Sequence, residues 1–259
     1  MITLTSDFGL KDPYVAEMKA AILTINSKAT IIDITHEVEK FKIRQAAFVL
    51  ASAVPYFPED TVHLAVVDPG VGTQRRAIIV KAKKTLFVGP DNGILVLAAQ
   101  NQGIERVHEL SNPKFMLSTI SNTFQGRDVF APAAAYLDEG VRPEEFGLEV
   151  KDFVNPEFVK IKKTKSSMIG EILHIDGFGN IITNIKEKDI TGLNGQPVTI
   201  EFSKTSLKLP LAKTYGEAKP KEALALTGSH GFIEIALNQG NAAKKYHAKV
   251  GEKIKVAAY

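Results

Sequence analysis

Short apolar runs rich in β-branched residues alternate with helix-like segments through the first half of the chain. Val15, Met18 and Ile22 recur on one face of a helix predicted over 13–25, and a second helix is predicted over 43–53. Several of the runs between helices are apolar throughout, as is typical of strands buried on both faces. This alternation predicts an α/β domain with a mostly parallel sheet flanked by helices. The predicted strands are 2–5, 30–34, 62–67, 77–81 and 85–88.

A further helix is predicted over 128–139, close to the end of this half of the chain. Asp128 is placed to act as its N-cap, and Pro132 is tolerated only in the first turn. Gly140 is expected to end the helix, because glycine adopts the left-handed conformation that commonly terminates one.

The pattern changes after about residue 150 to short β-branched or alternating runs punctuated by glycine and proline. This pattern predicts a smaller, all-β, barrel-like C-terminal domain. We divide the chain into an α/β domain at 1–155, a linker at 156–167 and the β-rich domain at 168–259. The lysines of the linker have no aromatic residues among them, which favours a solvated connection over a nucleic-acid site. The predicted strands of this half are 169–175, 181–185, 197–202, 206–209, 222–226, 232–237 and 253–257.

The composition excludes several classes of protein. The absence of cysteine excludes disulfides, thiol nucleophiles and cysteine–metal sites, and we expect no metal or redox cofactor. The 32 basic and 29 acidic residues leave a net charge of +3, which is too balanced for an electrostatic nucleic-acid binder. Neither an 18-residue apolar run nor a signal-type N-terminus is present, so we expect a cytoplasmic, soluble protein with no membrane partner.

Polar side chains follow two of the predicted strands in the first domain. Asp7 ends the first strand, and Asp68 opens a loop that contains Gly70, Gly72 and Arg75. Ligands bind beyond the carboxyl ends of parallel strands, so these groups are candidates for a shared site. Two structural alternatives stay open: Asp7 as a cap of the following helix, and Asp68 with Arg75 as a capped turn and surface ion pair. The loop lacks the features of dinucleotide-binding and phosphate-binding loops, which excludes both.

Three further clusters combine turn residues with polar groups. The segment 124–128 leads into the predicted helix, and we expect Arg127 and Asp128 to form a local ion pair there. The segment 176–180 lies between two predicted strands, where a simple hairpin accounts for its glycines but not for all its polar groups. Ser229 and His230 lie in a similar loop, where a surface histidine is the expected role for His230.

Seven motifs in a fixed order extend over essentially the whole chain. They are TSDFG at 5–9, DITHEV at 33–38, VVDPGVGTQRR at 66–76, GPDNG at 89–93, FxGRDxFAPAAA at 124–135, IDGFGNIITNI at 175–185 and TGSHGFIEIA at 227–236. This set closely resembles the S-adenosyl-L-methionine (SAM) hydroxide adenosyltransferases, or SAM hydrolases, which are related to the SAM-dependent fluorinase and chlorinase.

The resemblance implies a reaction and an assembly. Hydroxide derived from water attacks C5′ of the SAM ribose and releases adenosine and L-methionine, with SAM as substrate rather than cofactor. It also implies a homotrimer with SAM bound between neighbouring subunits.

The resemblance also implies roles for individual residues. Asp68 and Arg75 match two members of the family's Asp–Arg–His set that handles the attacking water, and Gln125 stands at the position of the third, directly before the GRD motif. The residues that match substrate contacts are Asp7 for the ribose diol, Phe41 for the wall of the site, Gly126 for the nucleophile, Asp176 and Ser229 for the methionine ammonium and carboxylate, and Phe178, Asn180 and Tyr215 for the adenine.

Gln125 departs from the family pattern, which has histidine at this position. An imidazole accepts a proton near neutral pH and a carboxamide does not, so Gln125 predicts weakened activity if the histidine is a general base. A non-catalytic SAM- or adenosine-binding protein is therefore the alternative. SAM halogenation comes third, because the ionised Asp68 would repel a halide.

Overall fold

A computed structural model describes residues 1–164, 166–190, 197–203 and 205–258. The chain divides into two compact units, Met1–Pro156 and Glu157–Tyr259. Each unit has its own hydrophobic core, and each is described separately below.

The first unit contains a six-stranded sheet with the order β2-β1-β3-β5-β4-β6. Neighbours β2, β1, β3 and β5 are parallel, and only β4 runs against its neighbours β5 and β6. Five of the six strands therefore point in one direction, which confirms the prediction of a mostly parallel sheet. The strands are β1 (Ile2–Ser6), β2 (Ile31–Thr35), β3 (Val62–Val66), β4 (Ala77–Ala82), β5 (Leu86–Pro90) and β6 (Ile104–Glu109).

Four α-helices flank this sheet: α1 (Tyr14–Ile25), α2 (Ile43–Ala53), α3 (Val96–Gln102) and α4 (Ala131–Asp138). Helix α1 packs against α4, and α2 packs against α3. Met18 and Ile22 of α1 share a core with Ile2 and Leu4 of β1, as the 3.6-residue spacing of the apolar positions predicts. The sequence analysis did not predict β6.

The predicted helix over 128–139 is wrong at its start. A π-helical turn occupies Gly126–Phe130 and leads directly into α4 at Ala131. Asp128 does not cap a helix; its carboxylate accepts hydrogen bonds from the Ser121 N–H at 2.7 Å and from Arg127 Nε at 2.6 Å. The expected local ion pair of Arg127 and Asp128 is thus confirmed. It engages the carboxylate that would otherwise be free to cap the helix. Gly140, with φ of +92°, follows the end of α4.

The second unit is built almost entirely from β-strands in a nine-stranded, barrel-like sheet. Its main path has the order β11-β10-β15-β8-β9-β14-β13-β12, and β7 pairs with β8. Strand β7 lies within the range that the sequence predicts as a linker. Each predicted strand of this half matches an observed one. The elements are β7 (Lys162–Lys163), β8 (Ser167–Ile175), β9 (Ile181–Lys186), β10 (Val198–Phe202), β11 (Thr205–Leu209), β12 (Leu211–Ala212), β13 (Ala223–Thr227), β14 (Phe232–Leu237), α5 (Ala242–Tyr246) and β15 (Lys253–Ala258).

Among the helices within the described ranges, none combines the length and the apolar character that crossing a bilayer requires.

Candidate active site

A cavity of about 380 Å³ opens at the carboxyl ends of the parallel strands of the first unit. Strands β1 and β3 are adjacent and in parallel register, so the residues that follow them, Asp7 and Asp68, meet at the same edge of the sheet. The cavity is lined by Asp7, Phe8, Asp12, Tyr14, Lys40, Phe41, Val66, Asp68, Val71, Thr123, Phe124, Gln125 and Gly126. Five of the candidate residues therefore line one cavity.

Asp68, Arg75 and Gln125 form a hydrogen-bonded cluster beside this cavity. Arg75 donates to Asp68 Oδ2 from Nε at 2.8 Å and from Nη2 at 2.5 Å. The same Nη2 lies 2.5 Å from Gln125 Oε1. The Asp68 side chain is only 5% exposed and that of Arg75 12%, so this is not the exposed surface pair of the structural alternative. The guanidinium also lies 5.2 Å from the centroid of the Phe130 ring, which adds a cation–π contact.

The backbone of the 68–75 loop explains how Arg75 reaches back to Asp68. Gly72 has φ of +76°, and a Cβ atom there would lie 2.4 Å from the Asn122 carbonyl oxygen. Only glycine fits such an approach without strain. The Thr73 hydroxyl donates to the Gly70 carbonyl at 2.7 Å, and the Gly70 N–H donates to Asp68 Oδ1 at 3.2 Å. The turn is thus capped by Asp68 while the same carboxylate faces the cavity.

Asp7 joins the loop after β1 to the loop after β2. Its Oδ2 accepts a hydrogen bond from the Phe41 N–H at 2.8 Å, and its backbone carbonyl accepts one from Lys40 Nζ. Helix α1 is preceded by Pro13 and has no side-chain cap, so Asp7 does not cap it. The Phe41 ring is 68% exposed, and its backbone lies in the left-handed region with φ of +65°. Backbone strain of this kind clusters at active sites and ligand-binding segments.

The contact with Arg75 determines which way the Gln125 amide points. Arginine has only donors, so the atom that faces it is the amide oxygen, and the NH₂ group is left for other partners. Of the three side chains in the cluster, only the carboxylate of Asp68 is a group that can take up a proton from water, because the Gln125 amide is not basic and Arg75 has only donors. The arrangement can therefore hold a water molecule between a donor and an acceptor.

The sequence analysis missed an aromatic wall of this cavity. Phe8, Tyr14 and Phe124 are in mutual contact, with ring centroids 5.0–5.9 Å apart. Gly126 lies against this wall, since a Cβ atom there would come within 3.2 Å of the Phe124 ring. The phenylalanine two residues before Gly126, in the FxG sequence at 124–126, was the feature of the sequence that could have predicted this wall. Lys40 and Asp12 also line the cavity and were not predicted.

Asp176, Phe178 and Asn180 lie in the second unit, in the hairpin between β8 and β9. Asp176 Oδ1 accepts hydrogen bonds from the N–H groups of Phe178 and Asn180 at 3.0 and 2.9 Å. Its Oδ2 accepts one from Asn180 Nδ2, also at 2.9 Å. These hydrogen bonds give Asp176 and Asn180 a structural role in the hairpin, which the glycines by themselves do not explain. The Phe178 ring is 80% exposed.

Tyr215 and Ser229 also belong to the second unit. Tyr215 begins a short 3₁₀ turn, and its hydroxyl donates to Glu234 Oε1. Ser229 lies in the loop between β13 and β14, and it is exposed. Phe232 at the start of β14 is in register with Lys186 at the end of β9, whereas Asp176 precedes the start of β9. Both loops nevertheless approach Glu234 of β14, because the charge of Asp176 acts on its carboxylate and a Cβ atom at Gly228, next to Ser229, would lie 2.2 Å from its Oε2.

Two family models match consecutive parts of the chain. Residues 2–147 match the SAM hydroxide adenosyltransferase N-terminal domain, and residues 170–255 match the SAM hydroxide adenosyltransferase C-terminal domain. Together they cover most of both compact units.

Individual relatives agree with this assignment. The (R)-S-adenosyl-L-methionine hydrolase of Methanocaldococcus jannaschii is 37% identical over an alignment of 268 positions, gaps included, that covers 99% of this chain and 95% of the relative. A fluorinase of Nocardia brasiliensis is more distant, with 25% identity over 99% of this chain and 96% of the relative. The crystal structure of an uncharacterized conserved protein from Thermotoga maritima has a TM-score of 0.89 and 40% identity, and covers 99% of this chain and 100% of that one. The chain belongs to the SAM hydroxide adenosyltransferase family.

Proposed function

We propose that this protein hydrolyses SAM to adenosine and L-methionine. The observation that carries the proposal is the cluster of Asp68, Arg75 and Gln125 beside the cavity of the first unit. The names of the relatives at 36–37% identity, all (R)-S-adenosyl-L-methionine hydrolases, support the same reaction and point to the (R) epimer at sulfur.

The reaction is a displacement at C5′ of the ribose. The water oxygen forms a bond to C5′ as the C5′–S bond breaks, and the electron pair of that bond stays on sulfur as the neutral thioether of methionine. One water proton is released, and Asp68 Oδ1 accepts it or passes it to solvent. The sulfonium needs no acid to leave, so the protein has mainly to place a desolvated water in line with the C5′–S bond. No metal or redox cofactor takes part in this scheme.

We further propose that Asp7 contacts the ribose diol, that Phe41 forms part of the wall of the site, and that the Gly126 backbone contacts the nucleophile. Asp7 Oδ1 accepts no hydrogen bond within the described part of the chain, which suits a ribose hydroxyl. Asp176 and Ser229 then contact the methionine part, and Phe178, Asn180 and Tyr215 contact the adenine. Family resemblance supports these roles, a homotrimer with SAM bound between neighbouring subunits, and a cytoplasmic location.

The second candidate is a SAM- or adenosine-binding protein without turnover. Gln125 favours it, because its amide donates hydrogen bonds and does not take up a proton near neutral pH. Loss of a true general base costs about 10²–10⁴ in rate, enough to abolish useful turnover. The hydrolase is preferred because Asp68 remains as an acceptor beside the same cavity.

Incubation of the purified chain with each sulfonium epimer of SAM tests the proposal, with adenosine, methionine and intact SAM separated afterwards. We expect adenosine and methionine in equal amounts from the (R) epimer, equal rates with and without EDTA, a large loss in Asp68→Ala and a gain in Gln125→His. Equal rates for the three proteins would contradict the roles given to Asp68 and Gln125. Recovery of bound, intact SAM would select the binding protein, and chloride-dependent 5′-chloro-5′-deoxyadenosine would select the halogenase.

A further inference from the structure

A buried carboxylate in the second unit holds the hydroxyl of an exposed tyrosine. Glu234 lies on β14 and is only 5% exposed, whereas the Tyr215 side chain above it is 42% exposed. The Tyr215 hydroxyl donates to Glu234 Oε1. The hydroxyl end of the ring is therefore fixed by a buried partner, while part of the residue stays accessible to solvent.

The backbone that carries Tyr215 is tied as well. The N–H groups of Lys213 and Thr214 donate to Glu217 Oε1 at 2.9 and 3.1 Å, which closes the turn. Asn238 Nδ2 donates to the Ala218 carbonyl at 2.7 Å, which fastens the turn to the end of β14. The ring therefore has little conformational freedom left to lose when a ligand binds it.

Space for the Glu234 carboxylate depends on Gly228. A Cβ atom at Gly228 would lie 2.2 Å from Glu234 Oε2, so no other residue fits at 228 while Glu234 keeps its position. Glu234 also lies on the opposite face of β14 from Ile233 and Ile235, which belong to the main core. The carboxylate is thus placed beneath the Tyr215 turn, outside the main core of the barrel-like sheet.

Burial of this acid has an energetic cost. Burial raises the pKa of Glu234 above its usual value, and the nearby charge of Asp176 raises it further. Removing a carboxylate from water is unfavourable unless its hydrogen bonds are replaced, and an apolar side chain would usually be cheaper here. The hydrogen bond from the Tyr215 hydroxyl replaces part of the solvation that the Glu234 carboxylate loses on burial.

We propose that Glu234 is a positioning residue that holds the Tyr215 ring as a stacking platform for a planar heterocycle, the adenine of the substrate. The inference rests on the proposed function for the identity of that heterocycle. Aromatic platforms gain affinity from stacking on the π-face of a base, and an immobilised ring retains more of that gain.

Adenosine binding followed by tyrosine fluorescence tests this inference in the full chain. The chain has six tyrosines and no tryptophan, so an adenine that stacks on Tyr215 quenches a signal that only tyrosines produce. Glu234→Gln keeps an oxygen that accepts the hydrogen bond, and we expect adenosine affinity within about twofold of the original. Glu234→Ala and Tyr215→Phe each delete the bond and should weaken binding about tenfold. Tyr215→Ala should reduce the quenching and weaken binding about 5- to 100-fold, with the affinity of this variant measured by equilibrium dialysis.

The matched control is Glu201→Ala, which removes an exposed strand glutamate of the same unit that is paired with Lys255 at 3.1 Å. It should leave adenosine affinity unchanged. For SAM hydrolysis we expect Glu234→Ala to raise KM with kcat nearly constant, because the tyrosine contacts the base and not the reacting atoms.

Each outcome has a definite meaning. Wild-type affinity in Glu234→Ala or in Tyr215→Phe would overturn the positioning role, and Tyr215→Phe tests the same bond from the exposed side should Glu234→Ala fail to fold. Wild-type affinity in Tyr215→Ala, or no adenosine binding by the original chain, would overturn the platform itself. Adenosine binding without any SAM turnover would instead contradict the proposed function and leave this inference standing.

Discussion

Gln125 limits the chemistry that the cavity of the first unit supports. Its oxygen accepts a hydrogen bond from Arg75, and its NH₂ group can donate to a water oxygen but cannot take up the proton that the water must lose. In the proposed mechanism Asp68 is therefore the proton acceptor of the cluster, although two of its hydrogen bonds come from Arg75. We expect positioning of the water to contribute more to that mechanism than its deprotonation.

His63 gives the first unit a pH-dependent stability. The ring is 1% exposed, contacts the Phe57 and Phe87 rings, and lies 2.7 Å from Thr3 Oγ1 through Nδ1. Burial lowers the pKa of His63 from 6.5 to about 4. The unfolded chain takes up a proton below pH 6.5, whereas the folded chain does so only below about 4. The unfolding free energy should therefore fall by about 3 kcal/mol as the pH falls through this range.

Urea unfolding at pH 7 and at pH 4.5 measures most of this loss, about 2 kcal/mol. We expect His63→Asn, which does not titrate and can keep the bond to Thr3, to remove most of it. The exposed His230 provides the control, and His230→Asn should retain the full loss. An equal loss in His63→Asn would contradict the assignment.

At the scale of elements, local pattern predicted most strands and helices, and failed where side chains changed the backbone. The motif at 124–135 predicts one helix capped by Asp128, yet the ion pair with Arg127 takes that carboxylate and a π-turn forms instead. Strand β6 was missed because its residues alternate irregularly with charged ones, and pairing with β4 stabilises it. The pairing of β6 with β4 is long-range, and no local window of sequence contains it.

The 68–75 loop depends on Gly72 for its shape. Gly72→Ala forces a left-handed alanine against the Asn122 carbonyl, so we expect a stability loss of about 2 kcal/mol or more and a displaced Asp68–Arg75 pair. Thermal unfolding and the rate of adenosine release measure the two effects. Gly70→Ala is the matched control, because a Cβ atom at 70 lies 3.4 Å from Arg75 Cγ, an ordinary contact. Equal losses in the two variants would show that the backbone at 72 is not special.

At the scale of the whole molecule, the first unit exposes large apolar side chains in and beside the segments that line the cavity. Tyr14 and Phe41 line the cavity and are 44% and 68% exposed, and Leu10, in the loop between β1 and α1, is 67% exposed. Exposed apolar residues grouped beside a site often mark an interface between proteins. This grouping supports the proposed homotrimer, with subunits meeting around the substrate.

Sedimentation equilibrium tests the assembly. We expect a mass three times that of the 28.2 kDa chain, and dissociation with loss of hydrolysis in Leu10→Lys, because a buried unpaired ammonium is strongly unfavourable. Leu148, which is 80% exposed in the same unit, supplies the control, and Leu148→Lys should stay trimeric. A trimer that survives Leu10→Lys would place the interface elsewhere, and a monomeric original chain would refute the assembly.

The sequence by itself determined the α/β and β-rich halves, the family, and the residue types available for chemistry. Hydrophobic periodicity and ordered motifs carry that information locally, and the absence of cysteine and tryptophan restricts the chemistry further. Only the tertiary structure decided that Asp7 binds the Phe41 amide instead of capping α1, that Arg75 turns the Gln125 amide, and that Glu234 lies beneath Tyr215. These contacts join residues between 19 and 50 positions apart, and packing of strands and loops creates them.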